Sequence, residues 1–158
     1  MVIPATPDDD LGLVPGALEE IEESECWRLL ATQPVGRMAV IVGHYPLVFP
    51  VNYAVDGRHI FFRTGAGTKL WAIHRSNVTF EVDELDVVNR TGWSVMVRGA
   101  ARELSAEHNP DLVARAELSR AVPWAAGSKE SIVRIVADAI SGRRIRPPAA
   151  PLIADIRL

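Results

Sequence analysis

The chain has one cysteine, Cys26, in 158 residues. That excludes an internal disulfide framework and a cysteine-built zinc site. It has no apolar run of membrane-spanning length and no internal repeat. It has no excess of positive charge either, since the formal net charge is −3. Domains that bind a nucleic-acid backbone carry a basic face, so nucleic acid is not expected as a partner. Acidic residues stand where a signal peptide would carry bases, which makes a cytoplasmic location the expectation, with no membrane attachment. The four histidines, His44, His59, His74 and His108, fall on different segments, and none forms an i, i+4 pair. No metal is expected from them. The chain also lacks a nucleophile elbow, a Walker loop and a dinucleotide fingerprint.

What is present is ordinary for a globular protein, with 48% hydrophobic and 23% charged residues. The length suits one domain with a real core. Residues 1–17 read as a tail rich in proline and acid. Residues 18–146 read as the domain, and residues 147–158 as a second tail behind the stiff run Pro147-Pro148. From Ala17 to Gln33 the apolar spacing predicts a helix, with Leu18, Ile21, Cys26, Leu29 and Leu30 on one face. Ser24 is a candidate cap for a shorter version, and Pro34 ends it.

Six strands follow. They are Val35 to Val42, Leu47 to Val55, His59 to Thr64, Asn77 to Asp83, Gly92 to Glu103 and Ser131 to Ala137. Ile140 to Ile145 reads as a strand end or a continuation bent at Gly142. Gly43-His44-Tyr45-Pro46 is a turn, and Asp56-Gly57 is a hairpin signal. Pro50 belongs at an edge or bulge. Glu84 to Arg90 reads as an acidic loop. Asn109-Pro110-Asp111 opens a helix with Leu112, Val113, Ala116 and Leu118 inside. Hairpin-joined strands with short helices predict an antiparallel barrel with helices at its rim.

The segment most suggestive of chemistry is Ile60 to Leu70. A buried strand leads to Gly65 and Gly67, and Thr68 can cap a short helix that continues through Leu70 and Trp71. The free N–H groups of a helix start, with Arg63 and Lys69 on either side, suit an anion such as a phosphate. The bland alternative is a solvated turn carrying two surface cations.

Several segments then fall in a distinctive order. Leu29-Leu30 is followed by Pro34-Val35-Gly36-Arg37, Phe49-Pro50-Val51-Asn52-Tyr53, Phe62-Arg63-Thr64 with Gly67-Thr68-Lys69, and Thr91-Gly92-Trp93-Ser94-Val95 with Val97-Arg98-Gly99. This order resembles the pyridoxamine 5′-phosphate oxidase-like family of FMN-binding split barrels, over roughly Ser24 to Ile145. The resemblance implies a mainly β fold, a six-stranded antiparallel split barrel with peripheral helices. It also implies a homodimer with FMN at the interface, each site lined by both chains. By the same resemblance Arg63, Thr64, Thr68 and Lys69 hold the phosphate, with Gly67 in the turn between them. Pro50, Val51, Asn52 and Tyr53 run along the ring edge, and Trp93 and Ser94 add contacts near phosphate and ring. Pro123-Trp124 and Gly142-Arg143-Arg144 match late segments of similar proteins.

The basic and aromatic set that holds the oxidase's own substrate cannot be placed here, so vitamin B6 oxidation is not expected. The function implied is a flavin-dependent oxidoreductase for a small-molecule substrate. The alternatives are a deazaflavin (F420) reductase on the same barrel and a non-catalytic flavin-binding or sensor module. Single residues keep two readings each. Asn52 is a flavin-edge contact or a bulge residue beside Pro50. Tyr53 and Trp93 pack on a ring system, or in the core or a dimer interface. Ser94 faces a pocket or solvent. Trp27 and Trp71 read as core, and Cys26 as a small buried hydrophobe.

Overall fold

The computed structural model describes residues 16–65, 77–119, 123, 124, 127, 128 and 130–147. Seven strands and two helices fall in these residues: β1 (Leu18–Ile21), α1 (Glu23–Leu30), β2 (Val35–Val42), β3 (Tyr45–Asp56), β4 (His59–Thr64), β5 (Asn77–Asp86), β6 (Thr91–Leu104), α2 (Pro110–Leu118) and β7 (Ser131–Ile145). All the strand pairs are antiparallel. Strands β2 to β7 close on themselves in the order β7-β4-β3-β2-β5-β6-β7. The expected mainly β barrel is present. No helix of the described residues is long and apolar enough to cross a membrane.

Alternation drives the ring. Val78, Phe80 and Val82 on β5, and Val95 and Val97 on β6, are buried, while Met96 between the latter two is exposed. Inside the ring they meet Met38, Ile60, Phe62, Val133 and Ile135, and α1 adds Cys26, Leu29 and Leu30 to the same cluster. A second cluster lies under α2, where Ala116 covers Phe61, Leu104 and Ile132. Leu118, expected inside, is exposed because α2 buries only the face that carries Ala116.

Two tight turns start with glycine at positive φ: Gly43 at 62° and Gly57 at 61°. That is the conformation a two-residue hairpin requires at its first turn position. The first turn is shorter than expected, because Tyr45 and Pro46 already pair with Val42 and Ile41. Pro50 sits where expected. Residues 45–52 of β3 pair with β2 alone, so a residue without an N–H leaves no ladder bond unmade on the open side.

Four expectations need correction. Leu18–Ile21 is a strand, not the start of the helix, because it pairs with Gly142–Ile145. The helix then starts after Glu22, with no side-chain cap, and Ser24 lies within its first turn. β5 runs on to Asp86, paired with Thr91, so Glu84 and Asp86 belong to a strand and the turn shrinks to residues 87–90. β7 is continuous, and its register breaks opposite Arg98 and Gly99, where Asp138 is left over, rather than at Gly142. Gly142 instead permits close packing, since a Cβ there would lie 2.7 Å from Cys26 Sγ.

Helix α1 is pinned to the barrel through Glu25, whose Oε1 accepts from Arg144 of β7 at 3.1 Å and from Arg28 at 2.7 Å. The Arg28 hydrogen bond, aided by Arg144 and opposed by desolvation, lowers the Glu25 carboxyl from 4.5 to about 2. A lowered folded-state pKa stabilises at pH above the ordinary carboxylate range, and that contribution is lost as pH falls through the folded value. The Glu25 carboxyl resonance is therefore expected to titrate near pH 2. Glu25→Gln should flatten acid destabilisation between about pH 4.5 and 2. A titration midpoint at the ordinary value would contradict the pairing.

Candidate functional site

The barrel opens where β3 and β4 part. Their last pair is Tyr53 with Phe62. Asn52 precedes Tyr53 and Arg63 follows Phe62, so the two stand at one level on adjacent strands, just beyond the ladder. β4 stays paired to β7 through Arg63 with Ile132 and Thr64 with Ser131. Arg63 is half-buried, Thr64 is 4% exposed and Asn52 is half-buried.

Among the described residues no carboxylate is in ion-pair contact with Arg63. Arg37 pairs with Glu81 and Asp83, Arg115 with Asp56, and Arg144 with Glu25, whereas Arg134 on the neighbouring β7 is, like Arg63, without an ion-pair carboxylate among the described residues. A cation at the mouth of the barrel with no anion of its own fits a phosphate. The Thr64 hydroxyl reaches the Gly65 carbonyl only at 3.4 Å, which leaves it able to donate elsewhere. Gly65 is not in the left-handed region. It is needed for close approach, because a Cβ there would lie 2.7 Å from the Ser128 carbonyl oxygen. Gly67, Thr68 and Lys69, with Trp71 and His74, lie outside the described residues.

On β3, Val51 and Tyr53 point into the ring, 6% and 7% exposed. Pro50 is exposed on the outer face. Tyr53 is a core residue. Its hydroxyl donates to the Leu30 carbonyl, and its ring meets Phe80 edge-on at 4.9 Å and 73°. Burial, and secondarily the charge of Glu81, pushes its pKa well above the usual phenol value. The Asn52 amide is held at both ends. Its Nδ2 donates to the Pro34 carbonyl at 3.2 Å, and its Oδ1 accepts the backbone N–H of Trp124 at 2.9 Å.

The structure thus sets Pro50 and Asn52 on the outer face of β3 near Arg63 and Thr64 at the end of the β3–β4 ladder, and turns Val51 and Tyr53 into the core. It holds Trp93 and Ser94 apart. Asn52 pairs with Val35 of β2, and Ser94 lies beyond β2 and β5 on β6, opposite Asp83 and Arg143. Three strand spacings, roughly 14 Å along the sheet, separate them on opposite sides of the ring. Ser94 is exposed, and the half-buried Trp93 donates its indole N–H to Glu84 at 3.2 Å.

Two features of the outer face were missed. Arg37, beside Pro50, draws together Glu81 and Asp83, two residues at the end of the expected fourth strand. Burial, then the Asp83 charge, raises the Glu81 pKa against the opposing pull of Arg37. Their alternation with Val82 was the signal for a strand. The second feature is an open groove of about 590 Å³ on the outer face, bounded by Ile41, Pro46, Thr79, Arg98 and Asp138. Among the described residues, no cluster of histidine, cysteine and carboxylate side chains is arranged to hold a metal.

Comparison with known proteins agrees with this architecture. The family model described as pyridoxamine 5′-phosphate oxidase matches residues 22–144. The chain belongs to that family. An uncharacterized protein of Mycobacterium tuberculosis is 36% identical over 133 residues, covering 80% of this chain and 84% of the relative. Among solved structures, an FAD binding protein from Mycobacterium smegmatis is 34% identical with a TM-score of 0.63, covering 82% of this chain and 100% of that one. A protein of unknown function from Corynebacterium diphtheriae is 29% identical with a TM-score of 0.67, covering 82% of this chain and 98% of that one. Membership of the family places the ring among its split barrels, and in this ring β3 and β4 split apart beyond Tyr53 and Phe62.

Proposed function

We propose that the chain is a flavin-dependent oxidoreductase acting on a small molecule, with FMN held by its phosphate at the split. The observation that carries this reading is Arg63, a half-buried cation without a carboxylate partner among the described residues, at the open end of β4. Thr64 adds a hydroxyl, and Thr68 and Lys69 complete the anchor by the family pattern. The 34% identical relative is an FAD binding protein, which supports a flavin and makes FAD the second form to test.

The bound flavin would supply the redox chemistry. The chain's residues bind, orient and select. Arg63 neutralises phosphate charge, and Pro50 and the backbone of Asn52 border the flavin ring.

The reading includes a homodimer. Tyr45, Val48 and Ile41 on the β2–β3 hairpin and Met96 on β6 are exposed, from 45% to 74%. Such an apolar outer face suits a second copy. In that pair Trp93 and Ser94 of one chain complete the site of the other, which accounts for their distance from Arg63 within a chain.

An absorption spectrum of the purified protein, with identification of any ligand released by heat, tests the reading. A flavin spectrum with FMN or FAD released supports it. A colourless protein that takes up neither flavin, or one that binds F420 instead, refutes it. A monomer in solution removes the two-chain site.

A further inference from the structure

A further aromatic residue stands at the rim of the split. Asn52 ties together the turn before β2, through the Pro34 carbonyl, and a segment seventy-two residues further on, through the Trp124 N–H. The Trp124 side chain is 72% exposed and belongs to neither core cluster of the described residues. The other tryptophans of the described residues are engaged. Trp27 packs against the core, and Trp93 is half-buried with its indole N–H on Glu84. A large ring left in water is ordinary on a mobile tail. Here its backbone is fastened to Asn52, the β3 residue next to the last pair of the β3–β4 ladder.

We infer that Trp124 is a stacking residue for the flavin ring and that Asn52 is the residue that positions it. This rests on the flavin reading above. Offset stacking of an indole on a flat heteroaromatic ring is a favoured geometry, and the exposed indole has a free face to offer. The Asn52 amide is then engaged in holding Trp124 and Pro34 rather than in reading the ring edge.

The test uses the full chain loaded with FMN, with two readouts: the fluorescence yield of bound FMN and its dissociation constant. An indole in contact with an excited flavin gives it an electron and quenches its emission, whereas a phenyl ring does not. Trp124→Phe is expected to raise the yield severalfold with affinity nearly unchanged. Trp124→Ala should raise it likewise and weaken binding roughly tenfold, the worth of one aromatic contact. Asn52→Ala keeps the indole but releases its segment, and should also raise the yield. Bound FMN with the same yield in wild type and Trp124→Phe overturns the inference and leaves the flavin reading standing. A wild-type chain that takes up no FMN overturns both.

Discussion

Arg63→Ala is expected to weaken flavin binding roughly ten- to a hundredfold and to leave the barrel folded. A charge-assisted hydrogen bond contributes about 1.5–3 kcal/mol, and 1.4 kcal/mol is a factor of ten in affinity. The effect falls on binding rather than on folding because Arg63 has no carboxylate partner among the described residues. Removing it strands no buried anion. Its neighbours Phe62 and Thr64 keep their ladder bonds to β7. Arg63→Lys should recover part of the loss, since a point charge remains while the planar fork is gone. Titration with FMN and a thermal melt read the two effects separately. Full affinity in the Arg63→Ala, Lys69→Ala double variant would contradict the placement of the site.

Phe80→Ala is expected to cost about 3–5 kcal/mol of stability, the range for emptying a buried aromatic site. Phe80 is fully buried. Its ring occupies the space that a side chain at Gly36 would need, since a Cβ there would lie 2.2 Å from Phe80 Cζ. On another side it meets the edge of Tyr53. β2, β3 and β5 are therefore held around one ring, and little can collapse into the void. The loss is a large share of the ~5–15 kcal/mol typical of a domain. Urea unfolding should show a lower midpoint with an unchanged slope. A loss below ~1 kcal/mol would mean that the site relaxes and that Phe80 is not the hub of the core. Gly36→Val attacks the same contact from the other side and should destabilise by overpacking.

Much of the barrel was legible because its strands carry their pattern locally. Val78, Phe80 and Val82 alternate with polar residues, Gly57 marks a hairpin, and Pro50 demanded an open edge. The misreadings came where a distant partner decides. Leu18 and Ile21 fit a helical stripe as well as a strand, and only Gly142–Ile145, far along the chain, makes them a strand. Glu84 and Asp86 look like loop residues by composition, yet the ladder with β6 holds them extended. The register break fell at Asp138, opposite Arg98 and Gly99, rather than at Gly142, because it follows from the match between two long strands.

At the site, Arg63 was singled out by charge beside glycine, a local signal, and Thr64 by the family resemblance alone. Tyr53 was not resolved locally, since ring packing and core packing call for the same residue. Its hydroxyl on Leu30 and its contact with Phe80 place it in the core. The tie between Asn52 and Trp124 had no local signal, because it spans seventy-two residues.

The central claim is that a flavin is held through its phosphate at the split of the barrel. Parallel titrations of the protein with FMN and with riboflavin, which is the same ring system without the phosphate, test it most directly. FMN is expected to bind about a hundredfold more tightly, from two or more charge-assisted contacts. Most of this advantage should disappear in Arg63→Ala. Equal affinity for the two ligands, or binding of neither, would contradict it.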